Sequence, residues 1–145
     1  MIIYDTAMMN IEEKERLVDR VKGNPYVNHL GIQFDVVEEG YVEAHMPLHD
    51  EQRQYCGVIH GGVLAALADT VAGFAAYTVT PLDKDVLTAE LNVSFLRAAW
   101  GKELIAKGKV IKPGRRINFS ECEIYCDGKL VGKASGTFCV VQPQV

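Results

Sequence analysis

The sequence predicts an α+β domain in which one antiparallel sheet surrounds one central helix, with a further helix in front. Three observations carry that prediction. Val58 to Val79 is a long apolar segment, rich in Ala and Gly, with a single carboxylate, Asp69, at its centre. After Pro81 the pattern turns to alternating strands and stays there, with Asp127-Gly128 between the last two. Ahead of the segment, two short alternating runs meet at Glu39-Gly40. Helix, two strands, buried helix, four strands is an order that one sheet closed over one helix satisfies.

The elements follow in chain order. Asn10 caps the first helix with Glu13 in the capping-box position, and Gly23 followed by Asn24-Pro25 ends it. Its stripe of Ile11, Leu17, Val18 and Val21 is thin among charges, which predicts a helix on the outside of the domain. Residues 1–30 are therefore the helical N-terminal segment of a single domain spanning 1–145. In Ile32–Val37 the alternating set is Ile32, Phe34 and Val36; in Tyr41–Met46 it is Val42, Ala44 and Met46. A polar loop, Leu48–Tyr55, leads into the apolar segment.

That segment is long enough to cross a bilayer. Its Ala and Gly offer little insertion energy, however, and a central Asp costs about 2.5–3.5 kcal/mol on insertion scales. A buried core helix is expected instead. Next, Val86–Leu96 sets Leu87, Ala89, Leu91, Val93 and Phe95 against Val86, Thr88, Glu90, Asn92 and Ser94. Glu103–Ile111 follows, then a turn at Lys112-Pro113-Gly114 and a strand over Ile117–Cys126. Asp127-Gly128 favours a type I′ hairpin turn, so Leu130–Val141 pairs back antiparallel.

Composition narrows the class. With 145 residues, 48% of them hydrophobic, the chain can bury a core without disulfide or metal staples. A formal charge of -4 without a Lys/Arg cluster argues against nucleic acid or an anionic membrane as partner. Cys56, Cys122, Cys126 and Cys139 form no CxxC pair, and no His stands at zinc-finger spacing, so no metal set is expected. No secretory signal opens the sequence, which makes these reduced thiols of a cytoplasmic protein.

From Gln54 through Leu82, Asp69 is the only formally charged side chain when His60 is neutral. Its helical neighbours are Ala65, Ala66, Ala72 and Gly73, with Ala76 beyond; Leu64, Leu67, Val71 and Phe74 take the other side. Such a stripe either permits tight packing around a structural acid or leaves room for a ligand beside the carboxylate. Gly61-Gly62 stand at the helix start, where backbone N–H groups are unpaired and stabilise negative charge. A developing oxyanion is one such charge. An oxyanion site and a carboxylate on one helix are two parts of an acyl-transfer site, with water or the carboxylate itself as nucleophile. The GxSxG elbow is absent. Cys56 is the nearest other nucleophile, but no neighbour in sequence would lower its pKa, so it is read as structural.

Gln54-x-x-Gly57-x-x-His60-Gly61-Gly62, then Leu67-Ala68-Asp69 and Thr88-x-x-x-Asn92, resembles the hotdog-fold acyl-CoA thioesterases. It looks most like the branch that includes the phenylacetyl-CoA thioesterases. The resemblance implies a curved sheet wrapped around one long helix, and a homodimer, with dimers pairing again, whose active sites lie between subunits. It implies that the Gly61 N–H polarises the thioester carbonyl with help from Gln54, and that Asp69 of the partner subunit attacks or activates water. Thr88 would orient that water, and His60 would orient the loop and substrate. Gly62 and Asn92 would adjoin the substrate. Arg115 and Arg116, in the turn after Pro113-Gly114, would grip CoA phosphates. CoA is then part of the substrate, and no separate cofactor is implied. Tyr77, Phe74 and Leu82 are candidate walls for an aryl or medium aliphatic acyl group. Two other readings of the same domain are a non-enzymatic acyl-CoA sensor and an acyl-thioester hydratase or dehydratase.

Overall fold

The central element of the computed structural model, which describes residues 9–143, is helix α3, Gly61–Thr78. It is apolar nearly all round because it is enclosed. A six-stranded antiparallel sheet wraps it, and α3 touches every strand. The strands are β1 (Gln33–Glu38), β2 (Tyr41–Pro47), β3 (Asp85–Phe95), β4 (Glu103–Lys112), β5 (Ile117–Cys126) and β6 (Lys129–Val141). Their order across the sheet is β1-β2-β4-β5-β6-β3, the hotdog arrangement. Val42, Ala44 and Met46 of β2 point into the hollow, as their alternation predicts, and join Leu67, Val71, Leu104, Ile124 and Phe138 in the core. Length and hydropathy alone would let α3 span a membrane; its place inside the sheet accounts for its composition.

Close approach of helix and sheet depends on small residues. A Cβ on Gly108 of β4 would lie 2.8 Å from the backbone oxygen of Val71, so only glycine lets the strand meet the helix backbone there. The stripe beside Asp69 divides in the same way. Ala72 and Ala76 are fully buried against the sheet, Ala65 and Ala66 are half-buried, and Gly73 borders a cavity with Asp69 and Thr70.

The first helix, α1 (Ile11–Lys22), has both halves of the expected capping box: Asn10 accepts from the Glu13 N–H, and Glu13 accepts from the Asn10 N–H. The chain does not leave helical structure at Asn24-Pro25. Asn24 caps a second helix, α2 (Pro25–Leu30), with Pro25 in its first turn, where a missing N–H costs no hydrogen bond. Charged residues do much of the fastening of α1. Arg16 and Arg20 lie 3.9 and 4.7 Å from the Tyr77 ring centroid. Arg16 also donates to the carbonyls of Thr80 and Lys84, and Arg20 pairs with Asp85.

Two bulges revise the predicted strand faces. In β1, Phe34 pairs with Ala44 and Val36 with Glu43, leaving Asp35 as the extra residue. Val37 rather than Val36 then turns inward. In β3, Thr88 pairs with Phe138 and Glu90 with Thr137, so Ala89 is extra. Val86 and Thr88 face α3 before the bulge; Leu91, Val93 and Phe95 face it afterwards, and Leu87 is left exposed on the outer face. The β5–β6 turn is as predicted, with positive φ at Asp127 (51°) and Gly128 (74°).

Candidate active site

The loop before α3 is built by one arginine. Arg53 donates to the carbonyls of Gly57 (3.1 Å), Trp100 (3.4 Å) and Gly101 (3.1 Å), tying the loop to the segment after β3. Gln54 closes a turn on itself: its N–H donates to the Val58 carbonyl and its carbonyl accepts from the Gly57 N–H. Gly57 sits at φ 87°, which a side chain would strain. The Gln54 side chain is left exposed at the mouth of the loop.

His60 is the N-cap of α3. Its Nδ1 accepts from the Gly62 N–H at 2.9 Å, which places the proton of the neutral ring on Nε2. The Gly62 N–H is therefore engaged within the cap rather than open to a substrate. The Gly61 N–H has no acceptor among the described residues, and the Phe95 ring lies 3.2 Å from where a Gly61 Cβ would be. Gly61 and Gln54 line one cavity of about 410 Å³ with Leu64, Phe95 and Arg97.

Asp69 is half-buried and opens on a different cavity, of about 180 Å³. Thr88 Oγ1 donates to Asp69 Oδ1 at 2.7 Å, so the bulge at Ala89 sets the Thr88 hydroxyl towards the carboxylate. Phe74 and Tyr77 line this cavity with Arg20 and Tyr26, while Leu82 lies elsewhere on the surface. Phe74 also packs on Phe34, ring centroids 4.5 Å apart. Gly61 and Asp69 are eight residues apart on one helix, hence about 12 Å along its axis. One chain thus carries an electrophilic backbone group and a carboxylate that do not meet.

The remaining predicted residues fall outside both cavities. Asn92 pairs with Ser135 on the outer face of the sheet, away from α3, because the bulge reverses the alternation. Arg115 and Arg116 are exposed in the β4–β5 turn. That turn is anchored at the other end of α3: Asn118, fully buried, donates to the Ala76 carbonyl and to Thr80 Oγ1 and accepts from the Gly114 N–H. Cys56 is exposed and fills no core position, whereas burial pushes the Cys122 thiol up to about 12. Among the described residues no three His, Cys, Asp or Glu side chains converge as a metal set would. Arg53, Arg97 and Trp100 carry no local motif, and only the fold brings them to the loop.

The profile of the Thioesterase superfamily matches residues 56–133. The fold is similar to that of a thioesterase family protein from Silicibacter pomeroyi, with a TM-score of 0.86 and 27% identity over 90% of this chain and 99% of that one. It is also similar to a phenylacetic acid degradation-related protein from Ralstonia eutropha JMP134, with a TM-score of 0.79 and 27% identity over 86% of this chain and 98% of that one. The proofreading thioesterase EntH of Klebsiella pneumoniae is 32% identical over 102 residues, covering 70% of this chain and 74% of its own. The chain belongs to the thioesterase superfamily, as a thioester hydrolase of the hotdog fold.

Proposed function

We propose that the chain hydrolyses an aryl- or medium-chain acyl-CoA to the free acid and CoA, in a site completed by a second copy of itself. The observation that carries this reading is the separation of the Gly61 N–H from Asp69 by about 12 Å on one helix. A two-fold partner brings a second α3, so Gly61 of one copy can face Asp69 of the other. Strand β3 favours such a partner. It is one of the two edge strands, 11 residues long, with a row of backbone groups free of a neighbouring strand among the described residues and with Leu87 and Phe95 exposed.

In that site the Gly61 N–H donates to the thioester carbonyl, with the Gln54 amide as a second donor. Asp69 of the partner subunit takes a proton from water, whose oxygen adds to the carbonyl carbon. The tetrahedral oxyanion is held by Gly61, then collapses with cleavage of the C–S bond, and the CoA thiolate leaves and takes up the proton. Direct attack by the carboxylate, forming an anhydride that water then opens, uses the same geometry. Thr88 fixes the rotamer of Asp69 in either case, and His60 holds the loop. Arg115 and Arg116, remote from Gly61 of their own chain, would reach the phosphates from another subunit. A cytoplasmic setting and a pairing of dimers belong to this reading.

Free-thiol release from aryl and aliphatic acyl-CoAs, measured side by side for wild type and Asp69→Asn, tests it. Release by wild type that falls about 10³-fold or more in the variant is expected. Tight binding of acyl-CoA without release would favour a sensor, and water addition to an unsaturated acyl-CoA would favour a hydratase.

A further inference from the structure

We infer that helices α1 and α2 close the acyl pocket beside Asp69, and that Tyr26, backed by Arg20, sets the largest acyl group the chain accepts. This assignment rests on the acyl-CoA reading and adds to it two specificity-determining residues from ahead of the sheet. The thioester carbon must lie within reach of Asp69, and the two arms of an acyl-CoA leave it in different directions. The cavity at Asp69, about 180 Å³, is too small for the pantetheine and nucleotide arm. It is close to the roughly 150 Å³ in which an apolar cavity holds one benzene ring. The acyl arm therefore belongs there.

The inner wall of that cavity is α3. Asp69, Gly73 and Tyr77 follow one another at four-residue steps on one face, so they share the cavity over about 12 Å of helix axis. The Phe138 ring packs on Gly73, 3.2 Å from where a Cβ would stand, and Phe74 adds a second ring. Tyr77 is buried, with the Arg16 and Arg20 guanidinium groups over its ring, which fixes that end of the wall.

The outer wall comes from residues that no motif around Asp69 includes: Arg20, Asn24, Tyr26 and Val27. They are held as a unit. Val27 and Leu30 are buried in the core, Asn24 Oδ1 accepts from the Val27 N–H, and Asn28 donates to the Lys22 carbonyl, which joins α2 to α1. Arg20 is tied to Asp85 at the start of β3, so its charge is engaged and its stem serves as wall. Tyr26 differs from its neighbours in being 57% exposed, with its ring stacked beside that of His29. It is the part of the wall whose truncation widens the cavity without emptying the core, whereas Phe74 and Tyr77 are core residues.

Tyr26→Ala and Tyr26→Trp test the assignment in opposite directions. With arylacetyl-CoA esters of one ring and of two fused rings, wild type is expected to favour one ring in kcat/KM by about tenfold or more. Tyr26→Ala is expected to raise the two-ring over one-ring ratio about tenfold, and Tyr26→Trp to lower it. Calorimetric binding of the matching CoA thioethers, in which a methylene replaces the carbonyl, is expected to show the same order without turnover. A ratio that neither variant moves overturns the assignment, as does a wild type that takes both esters equally. Ring-selective binding of the thioethers with no hydrolysis of either ester would remove hydrolysis and uphold the pocket; hydrolysis blind to ring number would do the reverse. In mixed dimers of an Asp69→Asn chain with a Gly61→Val chain, Tyr26→Ala is expected to shift the ratio only on the Gly61→Val chain, which supplies Asp69. A shift produced from the other chain instead overturns the assignment. Thermal melts of the variants separate a changed pocket from lost folding.

Discussion

The two stretches of α3 to which we assign catalytic roles are made differently. At its N-terminus the proposed group is backbone: the Gly61 N–H is left open while His60 takes the Gly62 N–H, and a loop held by Arg53 fixes both. At its middle the proposed group is a side chain, Asp69, aimed by one hydroxyl and set in place by a helix pressed against Gly108. The first stretch depends on local turn and cap geometry, the second on the sheet. Each opens on its own cavity. Under the proposed mechanism, one chain holds two halves of different sites.

Substitutions sharpen that contrast. The largest effect is expected at Asp69, where Asn keeps the shape but removes the base. Turnover should fall by about 10³-fold with an unchanged melting curve, as expected for loss of a positioned general base or nucleophile. Thr88→Val removes the hydrogen bond that holds the carboxylate while keeping its volume. A fall in kcat of about tenfold is expected, with KM little altered, in line with loss of one charge-assisted hydrogen bond. Gly108→Ala acts on the scaffold. The added methyl meets backbone rather than a movable side chain, so a loss of about 2 kcal/mol, or roughly 5 °C in Tm, is expected by thermal denaturation. An unchanged Tm would mean that α3 is not held by that contact.

Much of the scaffold was legible in the sequence because its signals are local. The capping box of α1, the Asp127-Gly128 turn and the buried helix with its single carboxylate each rest on a few adjacent residues. The motif around His60-Gly61-Gly62 located the loop, although not that Gly62 is engaged by the cap. What stayed hidden is set by contacts between distant elements. Pro25 reads as a stop and is the first residue of another helix. The bulges at Asp35 and Ala89 leave no mark in an alternating pattern, yet the second decides that Thr88 faces Asp69 and that Asn92 does not. Asn118 looks like any strand residue until the sheet buries it beneath the end of α3. Arg53 and Trp100 come together only because the segment after β3 folds back against the loop before α3.

The direct test of the divided site is complementation between inactive chains. Asp69→Asn destroys one half, and Gly61→Val closes the other by driving a side chain into the Phe95 ring. Co-expressed, the two variants form mixed dimers in which one site of each pair is intact, and random pairing restores about a quarter of wild-type thiol release. That recovery is the predicted result. Two inactive chains that stay inactive together, while size and tag pull-down show that they have paired, would mean that the Gly61 N–H and Asp69 do not serve one site across the interface.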